Sequence, residues 1–146
     1  MNQQLREHNR AVFLHMMNAL GRKDWDTGFA CMTEDVCCDW PYRPIPDMDE
    51  AMVGRDVVRA FFDAGQAAMA GLDYRIDRIY DLVDPGTLIA EYHSDSRHLA
   101  TGVPYSNRYL GILRFREGKV CYWREYINPL AITEMFERVT AAAVTR

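Results

Sequence analysis

The sequence lacks the marks of several large protein classes. No apolar run approaches the ~18 residues that a membrane-spanning helix needs. The 17 Lys and Arg are outnumbered by 21 Asp and Glu, giving a formal net charge of −4. The cations are scattered, so the basic footprint of a nucleic-acid binder is missing and no nucleic acid is expected as a partner. There is no glycine-rich phosphate loop, no G-x-S-x-G elbow and no internal repeat. Cys31, Cys37, Cys38 and Cys121 form no C-x-x-C pair. Adjacent Cys37 and Cys38 point to opposite faces of a strand, so the thiols read as reduced, packed small hydrophobes. His8, His15, His93 and His98 lack ligand spacing, so no metal and no cofactor are expected. The polar start Met1–His8 resembles no ordinary signal peptide, and a cytoplasmic, membrane-free protein is expected.

What is present suits a single domain over residues 1–146. The composition, 49% hydrophobic and 26% charged, is that of an ordinary globular chain with enough apolar material for a core. Leu5, Val12, Phe13, Met16, Met17 and Leu20 recur at helical spacing and predict a first helix ending at Gly21. Asp24 predicts the cap of a short second helix reaching Met32, and Val36–Trp40 reads as a strand. Three prolines (Pro41, Pro44, Pro46) and several acids make 41–53 a long loop, of the kind that forms a lid or pocket wall. Val57, Val58, Phe61, Ala64, Gly65 and Ala68 predict an amphipathic helix over 55–70.

The period then changes from helical to alternating. Leu72, Tyr74, Ile76, Arg78 and Tyr80 fall on one face of a strand. Further strands are expected over 87–99, 104–116 and 119–128, divided by Asp84-Pro85-Gly86, Gly102 and Glu117-Gly118. A last helix is expected over 130–143. Helices first and an antiparallel meander afterwards is an α+β order, with helices covering one face of a curved sheet.

The segment Gly118-Lys119-Val120-Cys121-Tyr122-Trp123-Arg124-Glu125-Tyr126-Ile127-Asn128-Pro129 carries the strongest chemical signal. It reads as a turn, a strand and a Pro-initiated helix, with Glu125 set among aromatic residues. A carboxyl in such surroundings has its pKa pushed up, toward the range useful for proton transfer.

This ending, together with Thr101-Gly102-Val103-Pro104-Tyr105-Ser106-Asn107-Arg108-Tyr109, resembles the nuclear transport factor 2-like superfamily. More narrowly the chain is similar to SnoaL-like polyketide cyclases, ketosteroid isomerase and the phenazine-biosynthesis A/B proteins. The resemblance implies a cone-shaped half-barrel, cystatin-like, with a curved antiparallel sheet wrapped around N-terminal helices. It implies a homodimer. In the cyclase-like members an acid points into the cone about five residues after the Gly-Lys-Ile position, the place Glu125 holds after Val120. Trp123 stands where a histidine is often found, which favours a flat aromatic substrate stacked on the indole.

The remaining candidates follow from their strand faces. Arg78 is expected on the interior face, either holding an anionic or phenolic group or bridging to Glu91 or Glu125. His93 shares a face with Glu91 and is a second candidate acid/base, or a plain structural histidine. Tyr105, Asn107 and Tyr109 alternate on one face with Leu113 and Phe115, and would stabilise an enolate or phenolate, or form a core network. Trp40 and Tyr42 flank the Pro-rich loop and are expected to roof a pocket. The expectation is a cofactor-independent lyase or isomerase/cyclase acting on a small aromatic or phenolic metabolite. Catalysis falls to Glu125, His93 and Arg78, and binding to Tyr105, Asn107, Trp123, Trp40, Tyr42 and Tyr109. The alternatives are a non-catalytic ligand-binding or heteromer-forming member of the fold, and the small subunit of an aromatic-ring dioxygenase.

Overall fold

The computed structural model describes residues 2–144, so Met1 of the expected first helix lies outside the described residues. Helix α1 (Asn2–Gly21) buries Phe13, Met16, Met17 and Leu20 along one stripe, as their spacing dictates. Helix α2 (Trp25–Ala30) is capped by Asp24, whose carboxylate accepts from the Thr27 N–H at 3.3 Å. Strand β1 (Met32–Asp39) starts earlier than expected. The Pro-rich loop closes at residue 50, because β2 (Ala51–Val53) adds a three-residue edge to the sheet. Helix α3 (Arg55–Gly65) stops short of Ala70; the chain turns at Gln66 and Met69 bridges to His98.

Four long strands follow: β3 (Arg75–Asp81), β4 (Thr87–Arg97), β5 (Pro104–Arg116) and β6 (Lys119–Ile127). Helix α4 (Pro129–Val144) begins on proline, whose missing N–H costs nothing in a first helical turn. The sheet order is β2-β1-β6-β5-β4-β3. Every pairing is antiparallel except β1 with β6, which is parallel and joins the first strand to the last. The sheet is curved and unclosed, a cone rather than a full barrel. Among the described residues no helix is long and apolar enough to cross a membrane.

The main core lies between the helices and the concave face. Phe13, Met16, Phe29, Val58 and Phe62 pack on Leu88, Ala90, Tyr92, Tyr109, Leu113, Val120 and Trp123. A smaller cluster of Met69, Leu72, Tyr105 and Met135 docks α4 over the open end of the cone. These two clusters leave a space between them.

Two bulges decide which side chains reach that space. In β3 the pairing moves from Ile76↔Tyr92 to Arg78↔Glu91, so Asp77 is an extra residue and the alternation inverts. Arg78 is thereby turned to the outer face, against the interior placement expected from Leu72, Tyr74 and Ile76. Its guanidinium lies 4.9 Å from the centre of the Tyr80 ring. Glu91, a suggested partner, instead accepts from the Tyr80 hydroxyl at 2.8 Å. In β6 a shift between the pairs Arg114↔Tyr122 and Phe115↔Val120 puts Trp123, Glu125 and Ile127 on the inner face.

Candidate active site

The space under α4 is a cavity of about 180 Å3, below the ~300–1,000 Å3 of drug-sized pockets, so its guest is small. Its walls are apolar and aromatic: Trp40, Phe61, Phe62, Leu72, Ile127 and Met135 are among them. Pro44 and Ile45 bring the Pro-rich loop to the rim. Among the described lining residues Glu125 is the only acid, and no Arg, Lys or His joins it.

Glu125 is 5% exposed and fixed at both oxygens. Oε2 accepts from the Tyr92 hydroxyl at 2.5 Å and Oε1 from the Trp40 indole N–H at 3.2 Å. Loss of hydration raises its pKa from 4.5 to about 7, the two donors opposing the rise without cancelling it. The carboxyl therefore sits near the pKa at which one group serves best as both base and acid at neutral pH.

The local sequence explains this geometry. Glu125 faces Gly111 across the β5–β6 pair. A Cβ at Gly111 would lie 3.0 Å from the Tyr92 hydroxyl and 3.2 Å from the Trp123 indole nitrogen, so glycine leaves room for both. The Trp123 N–H donates to the Tyr92 oxygen at 3.2 Å, aiming that hydroxyl's own proton at Glu125. Tyr92 stacks on Tyr109 with ring centres 5.0 Å apart and 16° between planes. Trp40 arrives through the parallel β1–β6 pairing, in which Asp39 lies beside Arg124. Arg124 donates to Asp39 at 2.9 Å and Tyr122 at 2.7 Å, pinning the strand end that carries Trp40.

Three phenols also line the cavity: Tyr74, Tyr105 and Tyr109. Burial raises the pKa of each, so they remain neutral hydroxyls. Ser94 lies 2.6 Å from the Tyr109 hydroxyl, and either group is able to donate. Tyr105 accepts from the Asn107 amide at 2.8 Å.

The sequence candidates thus divide. Glu125, Trp40, Tyr105 and Tyr109 are brought together at the cavity. Asn107 is buried beside them, but its amide spends its hydrogen bonds on the protein. It donates to Tyr105 and to the Asn128 carbonyl at 2.9 Å, and accepts from the backbone N–H groups of Arg108 and Asn128. Trp123 is 2% exposed, packs on Phe62 and supports Tyr92, so it offers no free face for a ring. Tyr42 is 62% exposed and rests near Tyr126, outside the cavity wall. His93 does not stand beside Glu125: it lies on the outer sheet face with Nδ1 2.9 Å from Asp77, in a polar depression with Arg108. Arg78 shares that outer side. Sequence reasoning missed Tyr92 and Ser94; the alternation Leu88, Ala90, Tyr92, Ser94 was the available signal for both.

The profile of the SnoaL-like domain matches residues 13–123. The chain belongs to the SnoaL-like domain family. The matched segment of this SnoaL-like domain spans the core helices and most of the sheet, and ends two residues before Glu125. An uncharacterized PhzA/B-like protein of Pseudomonas aeruginosa is 28% identical over 134 residues, 92% of this chain and 94% of that protein. The crystal structure of a presumed isomerase of Bacillus subtilis superposes with a TM-score of 0.80 at 23% identity, covering 90% of this chain and 94% of the other. An LEH-like epoxide hydrolase of Mycobacterium tuberculosis superposes with a TM-score of 0.69 at 17% identity, covering 96% and 98%. At these identities the structural likeness shows the fold of the SnoaL-like domain, and the chemistry is argued from the site.

Proposed function

We propose that this SnoaL-like domain is a cofactor-independent proton-transfer enzyme, an isomerase/cyclase or lyase acting on a small apolar ring compound. The observation that carries the reading is Glu125, a carboxyl with a pKa near 7 that faces a small aromatic cavity with no other acid and no cation among its described lining residues. In its ionised form Glu125 removes a proton from carbon next to a carbonyl group. The Tyr109 hydroxyl, hydrogen-bonded to Ser94 and to Tyr105, turns its proton to the oxygen on which charge develops when Ser94 donates to it. Tyr74 and Tyr105 add neutral phenols and aromatic surface to the same wall. Glu125, now neutral, returns the proton to another carbon or to a leaving group.

With His93 and Arg78 on the far side of the sheet, one carboxyl carries the proton both ways. That suits isomerisation, cyclisation or retro-aldol cleavage better than a reaction needing a separate acid and base. The test is deuterium exchange at C1 of 2-tetralone, a small enolisable aryl ketone, followed by NMR. The wild-type protein accelerates exchange, and Glu125→Gln loses about 10²-fold or more of that acceleration. Acceleration by the variant within about tenfold of wild type excludes the role.

A further inference from the structure

The three phenols that line the cavity are not equally occupied. Tyr105 accepts from the Asn107 amide, and Tyr109 is hydrogen-bonded to Ser94 and to Tyr105, so these two belong to one polar chain. The Tyr74 hydroxyl has no hydrogen-bond partner among the described residues, and it is not sealed from solvent. Glu125 and Tyr105 both act on it electrostatically, which places it at the cavity and not at the outer surface.

The backbone aims it there. Asp73 is left-handed, with φ of 49°, and its N–H donates to the Gly21 carbonyl at 3.0 Å. A Cβ at Gly21 would stand 2.9 Å from the Tyr74 nitrogen, so glycine at the end of α1 lets this corner press against the helix. The Tyr74 ring then meets those of Tyr92 and Tyr109 edge-on, at 5.7 and 5.6 Å between centres. Among the described residues Tyr74 alone packs against both apolar clusters, which sets it across the space between them.

A phenol with an unspent proton calls for an acceptor. Burial and the Glu125 charge keep Tyr74 protonated, so it is a neutral donor. With no Arg, Lys or His among the described lining residues, a charged oxygen would lie beside Glu125 without a counter-charge. A carbonyl fits: it is neutral, only accepts, and is the group that must flank the carbon Glu125 deprotonates. We propose that Tyr74 is a binding residue that donates a hydrogen bond to the carbonyl oxygen of the molecule held in the cavity. This rests on the reading that the cavity is the substrate site. It sharpens the substrate class to a small ring ketone or ester. A carbonyl oxygen has two lone pairs, so the Tyr74 bond adds to the one from Tyr109 and does not replace it.

Tyr74→Phe removes the hydroxyl and keeps the ring. Calorimetric titration with 2-tetralone and with tetralin, the same ring system without the oxygen, reads the carbonyl's contribution. The variant binds 2-tetralone roughly tenfold more weakly than wild type, the worth of one hydrogen bond, while its tetralin affinity stays within about twofold. The same selective loss appears when Tyr74→Phe is made in Glu125→Gln. A 2-tetralone affinity unchanged within about twofold, an equal loss for both compounds, or binding of neither to wild type overturns the assignment. The melting temperature of the ligand-free variant gives a second reading. It stays within about 3 °C of wild type or rises, because no protein group loses a partner, whereas a larger fall means the protein already uses that hydroxyl and overturns the proposal. A protein that binds 2-tetralone through Tyr74 yet does not speed its deuterium exchange refutes the proton-transfer reading and leaves this one standing.

Discussion

Glu125→Gln makes a prediction about stability that needs no substrate. A folded-state pKa of about 7 against an ordinary 4.5 means the folded protein holds the Glu125 proton more tightly than the unfolded chain does. The stabilisation is fully present below about pH 4.5 and is withdrawn as the pH climbs, with the loss complete above about pH 7. The rise in pKa corresponds to roughly 3 kcal/mol across that window. Glutamine occupies nearly the same volume and does not ionise, so the variant is spared this loss. Urea unfolding of both proteins at intervals from pH 4.5 to 8.5 isolates the effect, because every other titrating group is common to the two and cancels in the difference. The variant gains on the wild type by about 3 kcal/mol between the ends of the range, with the change centred between pH 5 and 7. A difference that stays flat within about 0.5 kcal/mol refutes the argument that burial controls this carboxyl.

Two further substitutions test the surroundings. Tyr92→Phe removes a hydrogen bond that lowers the Glu125 pKa, so the upper end of the window over which stability is lost moves above about pH 7. The Trp123 indole N–H also loses its acceptor, and unfolding free energy falls by about 1–3 kcal/mol in urea titrations. Arg78→Met changes the outer sheet face, so 2-tetralone affinity measured by calorimetry stays within about twofold of wild type, and stability within about 0.5 kcal/mol. A large loss of affinity in that variant means the arginine reaches the cavity after all.

Much of the fold was legible because its signals are local. The helical spacing from Phe13 to Leu20 and the alternation from Tyr105 to Leu113 each follow from which side of one element meets the core. Arg78 was misplaced because parity was counted straight through β3, and one extra residue at Asp77 inverts it. Such a bulge depends on the partner strand, so the strand's own pattern does not reveal it. Strand β2 was hidden for a similar reason: three residues after a Pro-rich loop carry too little pattern to count as a strand. Glu125 could be singled out from its aromatic setting, but its partners could not. Trp40 is 85 positions away and Tyr92 is 33. Only the closing of the sheet brings them together. Asn107 was rightly read as buried, and its hydrogen bonds run to the end of β6 instead of to the cavity.

The parallel seam between β1 and β6 divides the site between distant lengths of the chain. Trp40, Phe62 and Tyr74 precede the turn at Val83, a residue 97% exposed, and Tyr92, Tyr109 and Glu125 follow it. If the chain is cut at that turn, one fragment holds the acid and its phenol, and the other holds the indole, Tyr74 and much of the apolar wall. The cut takes Trp40, Phe61 and Phe62 away from Glu125, and with them part of the burial that raises its pKa. Its full weakness as an acid belongs to neither half, and returns only when the two reassociate.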